Sequence, residues 1–209
     1  MGACKSVQPP QRITVDLRSP KVAAGSAEAQ FDRFMSIGGL RKGNININYY
    51  PVDDVVCLHF RVDYINIYQY WSEETRGAFI NALKQYKEDY NPEMTRNNRK
   101  TRKLYGSVLG FTIWETSQFS RQGRGYPPID FGYQFRDRSP YFTVTQREAE
   151  DENPNPGGGS ETRSSSTVVV YFTRAQADVL AALFDQESLL NLGFGVRNIQ
   201  ESAIDVDVF

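Results

Sequence analysis

The sequence is poor in the residues on which most catalytic and metal sites depend. Its 209 residues include one histidine, His59, and two cysteines, Cys4 and Cys57. No histidine and cysteine cluster has the spacing of a metal site, so we expect no metal and no cofactor. Cys4 lies in a polar terminus and Cys57 in an apolar strand, which predicts that they form no disulfide.

Long apolar runs and an excess of one charge are also missing. No run approaches the roughly 20 residues that cross a bilayer, so the folded part is expected to lie outside the membrane. Basic and acidic residues number 24 and 25, with an isoelectric point near 5.9. Overall charge therefore gives no attraction to nucleic acid, and such a role would need a local basic patch.

What the sequence does contain is the hydrophobic patterning of an α+β protein, mostly antiparallel sheet. Apolar residues alternate from Val55 to Tyr64 and then change phase, which predicts one long strand with a bulge at Asp63 to Ile65. The alternation N-I-N-I-N-Y-Y, followed by the turn P-V-D-D, predicts an antiparallel hairpin with that strand.

Two principal amphipathic helices are predicted, at about 73–90 and about 174–190. Ser72 and Thr173 are the expected N-caps, and Thr173 with Gln176 has the pattern of a capping box. Each helix follows an aromatic strand end, Y-W before Ser72 and Y-F before Thr173. Two related β-rich/α halves would give this repetition, and so would two independent strand-to-helix junctions.

The remaining segments complete one domain. We expect a flexible tether at 1–11 and a single α+β domain at 12–209, with a mobile, acidic and then Gly/Ser-rich loop at 147–166. Within the domain, the patterns predict a short strand at 12–17, a short helix at 26–37 and a final strand at 201–209. A strand at 104–116 should be loosened at Gly106 and Gly110.

The terminus M-G-A-C-K-S is the most specific short motif. It matches the pattern for N-myristoylation at Gly2, with Cys4 available for a second acyl chain, which would place the domain on the cytoplasmic face of a membrane. Gly-Ala-Cys followed by the polar K-S-V-Q-P-P-Q also resembles bacterial lipoproteins. That resemblance implies a lipid on Cys4 and a domain in the cell envelope, outside the cytoplasm.

Candidate binding residues fall in a basic cluster after the first helix and in an Arg/aromatic set farther on. They are Arg96, Arg99, Lys100, Arg102, Lys103, Arg121, Arg124, Tyr126, Arg136 and Arg138. The cluster suits phosphate or an acidic partner, and equally a solvated connection. The second set suits stacking with a base or a sugar if its members converge near the loops, and equally the polar rim of a sheet.

Three functions follow. The first is a non-enzymatic, membrane-tethered lipoprotein-like domain with a binding or envelope-structural role toward an unknown protein or small molecule. The second is a single-strand nucleic-acid-binding module, because the β-β-β-β-α order of the second half resembles PUR and whirly folds; the first half fits only if 31–37 is strand. The third is a carboxylate-based hydrolase, with the carboxylate pairs Asp53-Asp54 and Glu73-Glu74 as candidates, which a turn and a helix start explain equally well. Cys57 and His59 share a strand face, but no nearby sequence indicates an oxyanion hole.

Overall fold

The computed structural model describes residues 12–32, 39–90, 101–116, 121–136, 138–152 and 164–194. This part of the chain has an α+β fold in which antiparallel strands predominate. The strands are β1 (Val22–Phe31), β2 (Arg41–Tyr50), β3 (Val55–Val62), β4 (Ile65–Trp71), β5 (Arg102–Leu109), β6 (Phe111–Thr116), β7 (Arg121–Gly125), β8 (Pro128–Arg136), β9 (Ser139–Gln146), β10 (Ala149–Glu150), β11 (Ser164–Ser165) and β12 (Val168–Phe172). The helices are α1 (Glu73–Asp89), α2 (Arg174–Ala182) and α3 (186–194).

Ten of these strands form one sheet in the order β5-β8-β9-β12-β1-β2-β3-β4-β6-β7, and β10 and β11 form a separate ribbon. Strands β1 to β4 are consecutive neighbours and lead into α1. Strands β5, β8, β9 and β12 are likewise neighbours, and β12 leads into α2. The two sets meet where β12 pairs with β1, at Gln30 with Tyr171 and Phe31 with Val170.

A long bent hairpin joins the two edges of this sheet. Strands β5 and β6 are separated only by Gly110, and their partners β8 and β7 only by residues 126–127. One half of the hairpin lies beside β9 and the other beside β4, so the sheet curls back on itself. Gly110 is required at the bend, because a Cβ there would lie 2.2 Å from Cδ1 of Ile129.

The inner face of the curled sheet holds the main hydrophobic core. Trp71 packs against Phe79, Phe131 and Phe184 with ring centroids 5.3 to 5.6 Å apart. The helices cover this face crosswise: α1 packs mainly on β5 and β8, whereas α2 contacts β1, β9 and β12. The side chain of Gln69 on β4 donates a 2.9 Å hydrogen bond to Gln146 on β9.

A buried guanidinium connects the ends of several elements. The side chain of Arg76 on α1 is only 2% exposed, and it forms a salt bridge with Asp54 in the β2–β3 turn. It also donates to the carbonyl oxygen of Trp71 and to Gln186 on α3. Asp54 has a φ of 49°, and it accepts a further hydrogen bond from the hydroxyl of Tyr49.

The structure confirms the first helix, both N-caps and the capping box at Thr173. It also confirms the hairpin of β2 with β3 and the irregularity in β5 between Leu104 and Gly106. Among the described helices, none is long and apolar enough to cross a membrane.

The predicted helix at 26–37 is wrong, since residues 22–31 form strand β1. Ala27, Ala29 and Phe31 alternate inward, and two of these three are alanines that contribute little to a hydrophobic pattern. Residues 33–38 lie outside the described residues. The predicted strand at 12–17 is also wrong, because the described residues 12–17 form no strand.

Three boundaries also differ from prediction. The phase change after Asp63 is a tight turn rather than a bulge, since β3 ends at Val62, β4 begins at Ile65, and Asp63 has a φ of 51°. The helix expected at 174–190 is divided into α2 and α3. In the expected loop at 147–166, β10 pairs with β11; residues 153–163 and the predicted strand at 201–209 lie outside the described residues.

We predict that Arg76→Ala lowers the free energy of unfolding by about 3 kcal/mol or more, because it leaves Asp54 without its cation in a partly buried turn. Urea denaturation followed by circular dichroism measures the change. Arg18→Ala, in an exposed turn, serves as the control and should alter stability by less than about 0.5 kcal/mol. A loss of less than about 1 kcal/mol in Arg76→Ala would show that the fold does not depend on this cluster.

Candidate functional site

The outer face of the sheet carries the polar side chains of the strands. One row across it follows the strand register from Ser26 through Asn46, His59 and Tyr68 to Ile113. Because α1 and α2 pack on the inner face, the outer face is the surface of the sheet that these helices leave uncovered.

The structure does not bring together the basic residues that the sequence suggested as one surface. Arg102 and Lys103 begin β5, whereas Arg124 lies on β7, at the other end of the strand order. Arg138 occupies the β8–β9 turn with a φ of 67°. Arg96, Arg99, Lys100 and the side chain of Arg121 lie outside the described residues.

Several of these side chains are engaged in holding the fold. Lys103 forms a salt bridge with Asp89 at the end of α1, and its Nζ lies 4.9 Å from the ring centroid of Tyr105. The hydroxyl of Tyr126 donates a 2.9 Å hydrogen bond to the carbonyl oxygen of Ile13. The Arg/aromatic set is therefore partly structural.

Arg136 belongs to a polar cluster where the two sets of strands meet. It forms a salt bridge with Asp32 at the end of β1, and its Nε and Nη2 donate to the hydroxyl of Tyr171 on β12. That hydroxyl donates to Asp32 at 2.8 Å. Burial, together with the carboxylate of Asp32, raises the pKa of Tyr171 to about 12, so the phenol stays protonated and can donate.

The candidate site is a groove of about 500 Å³ on the outer face of β5, β8, β9 and β12. Its floor consists of small or short side chains, Gly132, Thr143, Thr145 and Val169, which neighbour one another in the register. Gly132 is required there, because a Cβ would lie 2.3 Å from the carbonyl oxygen of Lys103. This volume lies within the range of small-molecule sites.

Charged side chains stand at the two ends of the groove. Arg102 pairs in register with Gln134 at one end, and it has no side-chain hydrogen bond or ion pair within the described ranges. At the other end, Nε of Arg147 donates to Oδ2 of Asp130 at 2.6 Å. The side chain of Arg147 is 54% exposed and that of Asp130 only 14%, so a largely buried carboxylate fixes a half-exposed arginine.

Cys57 and His59 do not form a nucleophile and base. The imidazole of His59 stacks on the ring of Tyr68 at 4.4 Å, and burial lowers its pKa, so it is neutral near pH 7. Burial raises the pKa of Cys57 to about 12. A thiol with this pKa is protonated at neutral pH and reacts poorly as a nucleophile.

The groove residues that sequence analysis missed are Asp130, Gln134, Thr143, Thr145 and Arg147. The alternation of β8 does place Asp130, Gly132 and Gln134 on one face. The sequence did not reveal the strand order. That order places β9 beside β8 and thereby brings Thr143 and Thr145 into the groove.

We predict that the thiol of Cys57 in a Cys4→Ala variant reacts with a disulfide reagent at pH 8 roughly a thousandfold more slowly in the folded protein than in urea. The reason is the raised pKa of Cys57 together with its burial. Release of the coloured thiolate from the reagent measures both rates. Equal rates in the two states would show that Cys57 is an accessible thiolate, and would reopen a Cys/His site.

The described residues contain no group of three or more His, Cys, Asp or Glu side chains arranged to bind a metal ion. No curated protein and no solved structure matches the chain. A family model described as an uncharacterised Treponema protein matches residues 20–191, which include all the described strands and the helices α1 and α2. The chain therefore belongs to this uncharacterised Treponema protein family.

Proposed function

We propose that the protein is a non-enzymatic binding domain, held at a membrane by a lipid on Cys4, with its ligand surface on the outer face of the sheet. The observation that carries this proposal is the open polar groove on that face, opposite the helices. The M-G-A-C-K-S terminus and the polar stretch after it support the tether.

The described part of the N-terminal segment is attached to the outer face. Arg12 forms a 3.2 Å salt bridge with Glu152, and its guanidinium lies 5.1 Å from the ring centroid of Tyr126. Ile13 and Val15 pack against the small outer cluster that contains Tyr70 and others. A lipid on Cys4 would then hold the domain within about 28 Å of the membrane, the greatest length of the chain between Cys4 and Arg12.

The protonation states and contacts of the residues that could act as nucleophile or base support a binding role rather than a catalytic one. Cys57 is a protonated thiol and His59 is a neutral, stacked imidazole. The paired carboxylates considered for hydrolysis also have structural contacts: Asp54 accepts from Arg76, and Glu73 and Glu74 form the first turn of α1. Carboxylates in a helix first turn interact favourably with the helix dipole.

Intact mass spectrometry of the protein from its native membrane fraction tests the tether. We expect a mass increase equal to one or more acyl groups, which is absent from a Cys4→Ala variant, and we expect that variant to leave the membrane fraction. Gly2→Ala is the matched variant: it would remove N-myristoylation and leave a lipid on Cys4 unchanged. An unmodified mass in the soluble fraction would refute the tether.

A second candidate function, binding of single-stranded nucleic acid, is favoured by the order of the elements. We infer that the chain consists of two related β-β-β-β-α halves. The first is β1 to β4 with α1, and the second is β5/β6, β7/β8, β9 and β12 with α2. This is the order for which the sequence resembles PUR and whirly folds. The fourth strand of the first half is β1 at 22–31 rather than the strand considered at 31–37, of which residues 33–37 lie outside the described residues.

The two halves also end alike. In each, an aromatic strand end is followed by a hydroxyl N-cap whose side chain accepts a hydrogen bond from a backbone N–H three residues later, Ser72 from Thr75 and Thr173 from Gln176. Each helix then packs on strands of the other half: α1 packs mainly on β5 and β8, and α2 packs partly on β1. The outer row with His59, Tyr68 and Arg61 nearby would offer rings and a cation to a single strand.

If this second function holds, a fluorescent oligothymidine should bind, and its affinity should fall steeply with salt. Arg61→Gln should reduce the slope of log K against log salt by about 1, because one phosphate contact is lost. Fluorescence anisotropy at several salt concentrations measures the slope. Arg18→Gln is the control; absent or salt-insensitive binding by the unmodified chain would reject this function.

A further inference from the structure

We infer that the groove on the outer face of β5, β8, β9 and β12 binds an acidic oligosaccharide, a chain of sugar rings that carry carboxylates. This inference rests on the proposed binding function and names the class of ligand for that site. Nothing in the family description assigns a ligand.

The charge of the groove calls for an anion. Arg102 has no side-chain partner among the residues that the structure describes, and Arg147 uses only its Nε, toward Asp130. Both arginines line the groove, and neither uses its terminal nitrogens in a hydrogen bond within the described residues, so these N–H donors are available to a ligand there. Guanidinium groups pair with carboxylates through two parallel hydrogen bonds, which makes a carboxylate a better fit than a neutral group.

The spacing of the charges calls for an extended ligand rather than a single small ion. Arg102 lies opposite Gln134 on β8, and Arg147 is anchored at Asp130, four residues farther along the same strand. This separation is about 14 Å in an extended strand. A ligand that reaches both arginines must therefore carry two acidic groups on a backbone that spans the floor.

The floor between the arginines suits hydroxyl groups. Thr143 and Thr145 lie next to each other on the outer face of β9, and Gln134 adds an amide at one end. Hydroxyl and amide side chains both donate and accept, as sugar hydroxyls do. The 54% exposed Leu104 and the methyls of Val169 provide apolar contacts for the C–H surfaces of a ring.

A sugar chain fits this groove better than a nucleic-acid strand does. Proteins that bind single strands combine a basic groove with aromatic side chains on which bases stack. The aromatic residue that lines the groove is Tyr133, whose side chain faces the core and which is only 4% exposed. The described lining thus offers no ring to a base, although it offers donors to carboxylates and hydroxyls.

Isothermal titration of the full chain with the trisaccharide of galacturonic acid tests this inference, with maltotriose as the neutral ligand and an oligothymidine as the nucleic acid. We expect saturable binding of the acidic trisaccharide and at least tenfold weaker binding of maltotriose. Arg102→Gln and Arg147→Gln should each lower the affinity for the acidic trisaccharide by about tenfold, because each removes a charge-assisted hydrogen bond.

Arg18→Gln is the control for a general loss of positive charge, and it should bind as the unmodified chain does. Arg102→Gln removes no hydrogen bond or ion pair among the described residues, so we expect the variant to fold as the unmodified chain does; thermal melts of both variants check this. No binding of the acidic trisaccharide would overturn the inference, as would binding that neither arginine variant weakens. Preferential binding of the oligothymidine would assign the groove to nucleic acid instead.

The result of this titration can be distinguished from the result of the mass-spectrometry test of the lipid tether. A chain without lipid that binds the acidic trisaccharide would keep the groove and refute the membrane anchor. A lipidated chain that ignores the trisaccharide would keep the anchor and refute the ligand class.

Discussion

The buried guanidinium of Arg76 is the interaction on which the arrangement of the strands and helices depends. A charge removed from water costs several kcal/mol unless it is paired with an opposite charge and hydrogen-bonded. Arg76 meets this requirement by donating to Asp54, to the carbonyl oxygen of Trp71 and to Gln186. These partners belong to the β2–β3 turn, the end of β4 and α3, so satisfying one side chain positions three separate parts of the chain.

The curl of the sheet has a consequence for function. Because α1 and α2 occupy the inner face, large aromatic residues such as Trp71 and Phe79 are committed to the core. On β8, β9 and β12 the outer face then carries short side chains such as Thr143, Thr145 and Val169, and glycine at 132 leaves space beside them. The same packing that stabilises the fold therefore leaves a polar, arginine-bordered groove as the surface suited to a ligand. The proposed tether is compatible with this groove, since Ile13 and Val15 pack on the outer cluster that contains Phe111 and Ile113 of β6.

Local signals were sufficient where a single segment decides its own structure. The caps at Ser72 and Thr173 and the inward stripe of α1 depend on neighbours three or four residues away, so they were predictable. Local signals failed where a distant segment of the chain decides which residues are buried. The small residues Ala27 and Ala29 became part of a strand because β2 pairs with them, and the apparent bulge after Asp63 is a turn because β4 returns along β3.

The sequence by itself determined an α+β protein with two capped helices and a predominantly antiparallel sheet, because these follow from periodicity and from capping chemistry within short windows. Only the tertiary structure decided the order of the strands, and with it which charges meet. Arg102, Asp130 and Arg147 are separated by as many as 45 positions in the chain, yet they line one groove. Strand register across a curled sheet arises from contacts between distant segments, and no local pattern encodes it.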